Sequence, residues 1–201
     1  MAKMNASKAG YHHGNLRPAL LTAALELLNE SGIESLSLRA VARRAGVSSG
    51  APYHHFEHKG DLICELAKER LLHLHEVSAK AIKGKSNPKA KLRAIGLAYI
   101  TYAVEHPAEF RLMFSPERGS PFDQEVPDEA PVFSILLRVI DELIEEGLEI
   151  QRDTAAITAW SLVHGLANLL VDGPLQPMTA NAEQVRTLAR GVTDGLIFVR
   201  E

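Results

Sequence analysis

A chain of 201 residues has room for one or two small domains, and 46% hydrophobic with 23% charged residues is typical of a folded protein rather than a disordered one. The formal net charge of −3 argues against a uniformly basic nucleic-acid-binding protein. The charge is unevenly spread, however. Residues 1–60 hold 7 Lys and Arg against 4 Asp and Glu, about +3, so the remainder carries about −6. Such asymmetry is expected when one end of a protein meets a polyanion.

Two sequence features bear on the compartment. Cys64 is the only cysteine, so no intrachain disulfide is possible and we expect a cytoplasmic protein. The N-terminus has no apolar signal segment. The longest apolar run, residues 155–171, contains Ser161, His164 and Asn168 and falls short of the roughly 20 residues that span a bilayer. We therefore expect a buried helix there and no membrane contact.

The chain is predicted to begin with an arm and a helix. Residues 1–14 are polar and rich in small side chains, which indicates a flexible basic arm. Asn15 is a good N-cap for a helix whose apolar residues recur at helical spacing from Leu16 to Leu28, and Gly32 can end it.

Residues 37–59 have the pattern of a helix-turn-helix. The apolar residues of 38–45 fall at i, i+3, i+4 and i+7, with arginines on the opposite face. Ser37 can cap this helix, and Gly46 can supply the left-handed residue that ends it. Ser48 and Ser49 offer caps for a second helix of about seven to nine residues, with Pro52 near its start. Its outward side chains suit reading a DNA groove better than holding a domain together.

Helical periodicity continues through the rest of the chain, without strand-like alternation or an internal repeat. Residues 115–131, rich in Pro and Gly, are expected to form a loop. The predicted fold class is all-α. A three-helix N-terminal domain (residues 15–60) is followed by a larger helical domain (residues 61–201), which begins with a long helix that joins the two. The predicted helices are 61 to about 83, 89–105, 107–114, 132–146, 153 to about 171, and 181 to the C-terminus.

Several segments resemble the tetracycline-repressor (TetR-like) family of bacterial regulators. They are residues 38–48 (LRAVARRAGVS), Gly50, residues 53–56 (YHHF) and residues 59–62 (KGDL). Pro52 stands where many family members have Leu. The opening YHHGNLR, the pair His106-Pro107 and residues 160–165 (WSLVHG) are similar to a subgroup named after a Trp-His-Gly signature in its C-terminal domain.

The resemblance implies a homodimer that reads a pseudo-palindromic operator in double-stranded DNA, with the second helix of the motif in the major groove. Tyr53 and Lys59 are then expected to contact phosphates. Side chains on the second helix are expected to contact base edges, and the arginines of the first helix are expected to contact the DNA backbone. The base-contacting residues are Ser49, Ala51, His54 and His55; the backbone-contacting residues are Arg39, Arg43 and Arg44; and Ser48 and Gly50 complete the interface.

The second domain then resembles a ligand-binding and dimerisation unit. We expect a repressor that an unknown small hydrophobic effector releases from DNA by pivoting the long connecting helix. The effector pocket is predicted to be apolar and aromatic, and the dimer interface to use the last two helices. The pocket residues are Leu66, Tyr99, Tyr102, Phe110, Met113, Phe114, Phe133, Leu137, Trp160 and His164; the interface residues are Leu162, Leu166, Leu170, Leu188, Val192 and Leu196.

Other functional classes find little support in the sequence. His54, His55 and His58 lack a Cys or carboxylate that would complete a metal site, so we expect no metal and no cofactor. The chain has no phosphate-binding Gly-rich loop and no nucleophile elbow, so we do not expect an enzyme. The open alternative is a helical protein-interaction module without DNA specificity. Binding of DNA flanking its own gene distinguishes the two.

Overall fold

The computed structural model describes residues 16–116 and 131–195, and all regular structure in those ranges is helical. This confirms the predicted all-α fold class. Short 3₁₀ turns occur at Ile33–Ser35, Ala51–His54 and Gln176–Ala180. The α-helices of the described residues are α1 (Leu16–Ser31), α2 (Leu38–Arg44), α3 (Lys59–Ile82), α4 (Pro88–Glu105), α5 (Pro107–Met113), α6 (Pro131–Glu145), α7 (Arg152–Val171) and α8 (Ala182–Asp194).

The chain divides into two compact units, Met1–Leu62 and Ile63–Glu201. In the first unit α1 packs against α2, and α2 against the 3₁₀ turn at Ala51–His54. Apolar side chains of this unit are almost fully removed from solvent, which provides the hydrophobic stabilisation of a small domain. They include Leu20, Ala24, Leu28, Leu36, Val41 and Phe56.

In the second unit α4 is the central helix, in contact with α5, α6, α7 and α8. Its buried residues recur at helical spacing and merge with apolar side chains of the surrounding helices into one hydrophobic core. Asn87 caps α4, with its Oδ1 accepting a hydrogen bond from Ala90 N–H at 3.0 Å, and Pro88 occupies the first turn. This local chemistry places the start of α4.

The second element of the helix-turn-helix differs from the sequence prediction. Instead of a helix of seven to nine residues capped by Ser48 or Ser49, the structure has one 3₁₀ turn, Ala51–His54, preceded by Gly50 without a side-chain cap. Pro52 is the physical reason, since it has no N–H to donate and disfavours helical geometry in the residue before it. The prediction of a full second helix is therefore wrong for this structure.

The other helix boundaries lie close to their predicted positions. Helix α3 begins at Lys59, two residues before the expected cap Asp61, whose Oδ2 accepts a hydrogen bond from His58 N–H at 2.7 Å. Asn181, the predicted start of the last helix, caps α8, and its Oδ1 accepts hydrogen bonds from the N–H groups of Glu183 and Gln184. The predicted arm at residues 1–14, the cap Asn15 and most of the predicted loop at 115–131 lie outside the described residues.

Helix α7 is the one helix of the described ranges that is long and apolar enough to cross a membrane by length and composition. Its most apolar window is 44% buried within the protein. Since α7 also packs against α4, α6 and α8, it has the position of a core helix in a helical bundle.

Candidate nucleic-acid interface and effector site

The first helix of the helix-turn-helix is fixed by its cap and by its apolar face. Ser37 has an extended backbone, and its Oγ accepts a hydrogen bond from Ala40 N–H at 3.1 Å. Leu38, Val41 and Ala42 are buried. After α2 the chain turns at Gly46, whose φ of 69° is a left-handed conformation that side chains with a Cβ disfavour.

The turn and the 3₁₀ segment present a polar surface. Ser48, Ser49 and Gly50 are exposed, whereas Pro52 and Phe56 are buried. The other predicted contacts on this segment are also accessible. Tyr53 is 53% exposed, His54 and His55 are exposed, and Ala51 is half-buried.

The three arginines of α2 have different environments. Arg44 Nη1 donates to Glu30 Oε1 at 2.8 Å and to Glu26 Oε2 at 3.2 Å, and its Nη2 also bonds Glu30. The hydrogen bond from Arg44 lowers the pKa of Glu30, and the same bond raises the pKa of Arg44. Arg39 and Arg43 are exposed and form no ion pair with a described residue. All three arginines are exposed, but Arg44 is held against α1 by its ion pairs, whereas Arg39 and Arg43 have no such pair with a described residue.

Two further basic residues lie close to this surface. Lys59, a predicted phosphate contact, is half-buried, and its Nζ donates to the Ile33 carbonyl at 3.3 Å. Arg17 lies with its guanidinium 5.6 Å from the centre of the Phe56 ring. The sequence analysis did not single out Arg17. Its position in the first turn of a helix was visible, but its proximity to Phe56, 39 residues later, was not.

The second unit contains an aromatic cluster formed by α4, α5, α6 and α7. His164 lies at its centre, with ring centroids 4.7 Å from Phe114, 5.3 Å from Trp160 and 5.5 Å from Phe110. These separations are in the range of favourable ring contacts. The aromatic cluster consists of Tyr99, Phe110, Phe114, Phe133, Trp160 and His164.

A chain of hydrogen bonds runs through the aromatic cluster. Trp160 Nε1 donates to the Tyr99 hydroxyl at 3.4 Å, and that hydroxyl lies 2.8 Å from His164 Nδ1. Burial raises the pKa of Tyr99 and lowers the pKa of His164. Both side chains are therefore neutral near pH 7.

The remaining predicted pocket residues lie elsewhere in the second unit or deeper in it. Met113 is fully buried in the core that contains the aromatic cluster, and Leu137 is packed against that core. Leu66 is fully buried but is not part of that core. Tyr102 belongs to a different set of contacts, so the structure separates it from the aromatic cluster.

Those contacts form a polar cluster around Glu109, which is only 4% exposed. The Tyr102 hydroxyl donates to Glu109 Oε2 at 2.6 Å, Arg70 Nη1 lies 3.7 Å from the same oxygen, and His106 Nδ1 lies 3.5 Å from Oε1. Burial, and then the bond to Glu109, raises the pKa of Tyr102. His73 completes the polar cluster, with Nδ1 3.5 Å from the Tyr102 hydroxyl. No sequence motif indicated this arrangement.

The predicted dimer residues differ in exposure. Leu162 is 40% exposed, whereas Leu166 and Leu170 are buried in the core of their own chain. Leu188 and Val192 on α8 are half-buried, and Leu196 lies outside the described residues. Two further exposed apolar residues of α7 are Leu169, two turns from Leu162 on the same face, and Ile157, which lies on a different side of the helix.

Two family models match the chain. One, described as bacterial regulatory proteins, tetR family, covers residues 20–66 and thus the helix-turn-helix. The other, described as Tetracyclin repressor-like, C-terminal domain, covers residues 92–193, just over half of the chain. The chain belongs to the TetR family. The resemblance inferred from the sequence motifs is thereby confirmed, and the narrower Trp-His-Gly subgroup stays a prediction.

Two individual proteins are similar to the chain. Over 65 residues the chain is 40% identical to the tetracycline repressor protein class D of Escherichia coli, and this match covers 32% of the chain and 30% of that protein. A solved structure of a protein of unknown function from Rhodococcus sp. RHA1 is 28% identical, with a TM-score of 0.78 over 94% of this chain and 97% of that one.

A second solved structure shares the fold alone. It is the Bacillus subtilis transcriptional regulator FadR in complex with stearoyl-CoA, which is 18% identical and has a TM-score of 0.70. The alignment covers 92% of this chain and 100% of that one.

Proposed function

We propose that this TetR-family protein is a sequence-specific DNA-binding transcriptional regulator, a repressor that a small hydrophobic effector releases from its operator. The observation that carries the proposal is the exposed polar surface of the helix-turn-helix, at residues 48–55, within the segment that the tetR family model matches. Family membership points to a regulator acting in the cytoplasm, and catalysis is not part of the proposal.

The DNA contacts follow from which side chains are accessible. Arg39 and Arg43 are exposed cations suited to phosphates, and the Tyr53 hydroxyl is an additional donor to the backbone. Ser49, His54 and His55 carry the hydrogen-bonding groups that base edges require. Because the 3₁₀ turn is only four residues long, one copy reads few bases, and a homodimer on a pseudo-palindromic operator doubles the contacts.

The second unit supplies the proposed dimerisation and effector functions. Ile157, Leu162 and Leu169 leave apolar area exposed along α7, and burying that area against a second copy of the chain is favourable. The aromatic cluster is the proposed effector site, since it combines partly accessible rings with a few convergent polar groups. FadR, whose crystal structure holds stearoyl-CoA, supports a ligand site in a fold of this kind, since that ligand includes a long apolar acyl chain.

Selection of bound fragments from genomic DNA tests the proposal. The full chain is expected to enrich a pseudo-palindromic site, and a gel shift on that site should be lost when Tyr53 and His54 are both replaced by alanine. Tyr53 and His54 are exposed, so the variant should fold. Leu72→Ala, an equally exposed substitution in the second unit, is the matched control and should keep binding. If the chain enriches no sequence even at low salt, the proposal fails and the helical protein-interaction module is favoured.

A further inference from the structure

The aromatic cluster contains one polar atom that no described residue uses. Trp160 Nε1–H points to the Tyr99 oxygen, and the neutral phenol still has one proton to donate. We assign the phenol proton to the bond with His164 Nδ1 at 2.8 Å, and with that assignment the neutral imidazole carries its proton on Nε2. No described residue forms a hydrogen bond to that Nε2–H. The cluster therefore holds one donor that remains for a ligand.

The side chains that form the aromatic cluster carry no charge near pH 7. Every ring contact and hydrogen bond that defines the aromatic cluster joins Tyr, Phe, Trp or His side chains, and burial keeps the histidine neutral. One hydrogen-bond donor and the ring faces offset only part of the cost of removing a charged group from water, which is several kcal/mol for an unpaired ion. A charged effector is therefore disfavoured.

The rings also indicate a preferred shape. The ring planes of Phe114 and Trp160 are inclined to that of His164 by 66° and 38°, and those of Phe133 and Trp160 are inclined to each other by 77°. Inclined rings offer both faces and edges, which is how aromatic groups pack most favourably against a further flat ring. A flat ligand gains more from these contacts than a flexible chain, because fewer bond rotations are lost on binding.

We infer that the effector is an uncharged, flat and largely apolar molecule whose amide or ketone oxygen accepts a hydrogen bond from His164 Nε2. The inference rests on the effector site proposed above and names the chemical class that this site takes.

The test is isothermal titration calorimetry of the full chain at pH 7.5 with four probes on one scaffold. They are naphthalene-2-carboxamide, 2-naphthoate, 2-naphthylmethylammonium and 2-methylnaphthalene. The amide is expected to bind at least about tenfold more tightly than either charged probe, because of the desolvation cost. It should bind about three- to tenfold more tightly than the hydrocarbon, the effect of one hydrogen bond.

Substitution of the histidine separates the hydrogen bond from the ring contacts. His164→Phe keeps a ring and removes the donor, so the advantage of the amide over 2-methylnaphthalene should disappear while the hydrocarbon still binds. Leu72→Ala, an exposed substitution on α3 outside the aromatic cluster, is the control and should keep the wild-type order. The wild-type order alone already decides the inference if the His164 variant fails to fold.

The contrary outcomes are distinct. The inference is overturned if 2-naphthoate or the ammonium probe binds as tightly as the amide, if the amide gains nothing over the hydrocarbon, or if no probe binds at 1 mM. The proposed DNA-binding function is judged separately, by the ligand-free selection of genomic fragments. A chain that selects an operator but prefers a charged probe overturns the effector class alone, and a chain that prefers the amide but selects no DNA overturns the regulator alone.

Discussion

Neighbouring arginines of α2 should contribute very differently to operator binding. Arg43 is exposed without a described ion-pair partner, whereas Arg44 is held by Glu26 and Glu30 of α1. We therefore expect Arg43→Gln to remove a phosphate contact and Arg44→Gln to remove none. The two substitutions are chemically identical and lie one residue apart, so each serves as the reference for the other.

The magnitude follows from counterion release. Each phosphate neutralised on B-DNA contributes about −0.9 to the slope of log K against log salt concentration. The proposed dimer carries two copies of each arginine, so Arg43→Gln should make the slope shallower by about 1.8. Arg44→Gln should change the slope by much less than one. Fluorescence anisotropy of a labelled operator between roughly 50 and 200 mM salt resolves this difference.

A third substitution, Glu30→Gln, is expected to change the salt dependence in the opposite direction. Glu30→Gln removes the carboxylate that holds Arg44 most closely, and an arginine released toward solvent becomes available to the DNA backbone. The slope should then become steeper than in the wild-type protein. If Arg44→Gln flattens the slope as much as Arg43→Gln does, the ion pairs with α1 do not decide which arginine meets the phosphates.

Three further predictions concern stability. Ile140→Ala leaves a cavity at a fully buried core position, so the free energy of unfolding measured by urea denaturation should fall by about 2–5 kcal/mol. A smaller loss would mean that neighbouring side chains move in to fill the cavity. Ser37→Ala removes the α2 cap and should cost about 1 kcal/mol by the same assay, with Ser37→Asp as the tolerated control. The lowered pKa of His164 means that the unfolded chain binds more protons below the ordinary value of 6.5. Stability should therefore fall as the pH is lowered through that range, and less steeply in His164→Phe; parallel curves for the two proteins would contradict this.

Local signals were sufficient to predict most of the helices. The Asn87-Pro88 pair and the His106-Pro107 break bound α4, and the structure places that helix at Pro88–Glu105. Capping and helix termination depend on residues within one turn of each other, so a single sequence contains the information. The same holds for Gly46, where the need for a left-handed residue could be inferred from the pattern around it.

Contacts between distant residues could not be predicted in this way. Arg44 meets glutamates 14 and 18 positions earlier, and nothing local distinguishes it from Arg43. Pro52 was recognised as unusual for the motif, but the sequence could not tell whether a helix would begin later or be reduced to a 3₁₀ turn. Pro52 and Phe56 are both buried, so the conformation of this segment depends on distant contacts as well as on the missing N–H of Pro52.

Tyr99 and Tyr102 illustrate the limit of periodicity inside a candidate site. Residues three apart on a helix share a face, so the sequence grouped both tyrosines in one pocket. The structure sends the Tyr99 hydroxyl to His164 of α7 and the Tyr102 hydroxyl to Glu109 of α5. Helical spacing gives the side on which a residue lies but not the partner that its polar atom finds.

The polar cluster and the aromatic cluster depend on each other through α5. Glu109 and Phe110 are consecutive, and one lies in each cluster. A buried carboxylate is costly unless its oxygens are bonded, and removing a single partner typically costs about 1–3 kcal/mol. Arg70 of α3 and Tyr102 of α4 supply those partners and so hold Glu109 in place. The partners of Glu109 and the ring contacts of Phe110 therefore act on adjacent positions of the same short helix.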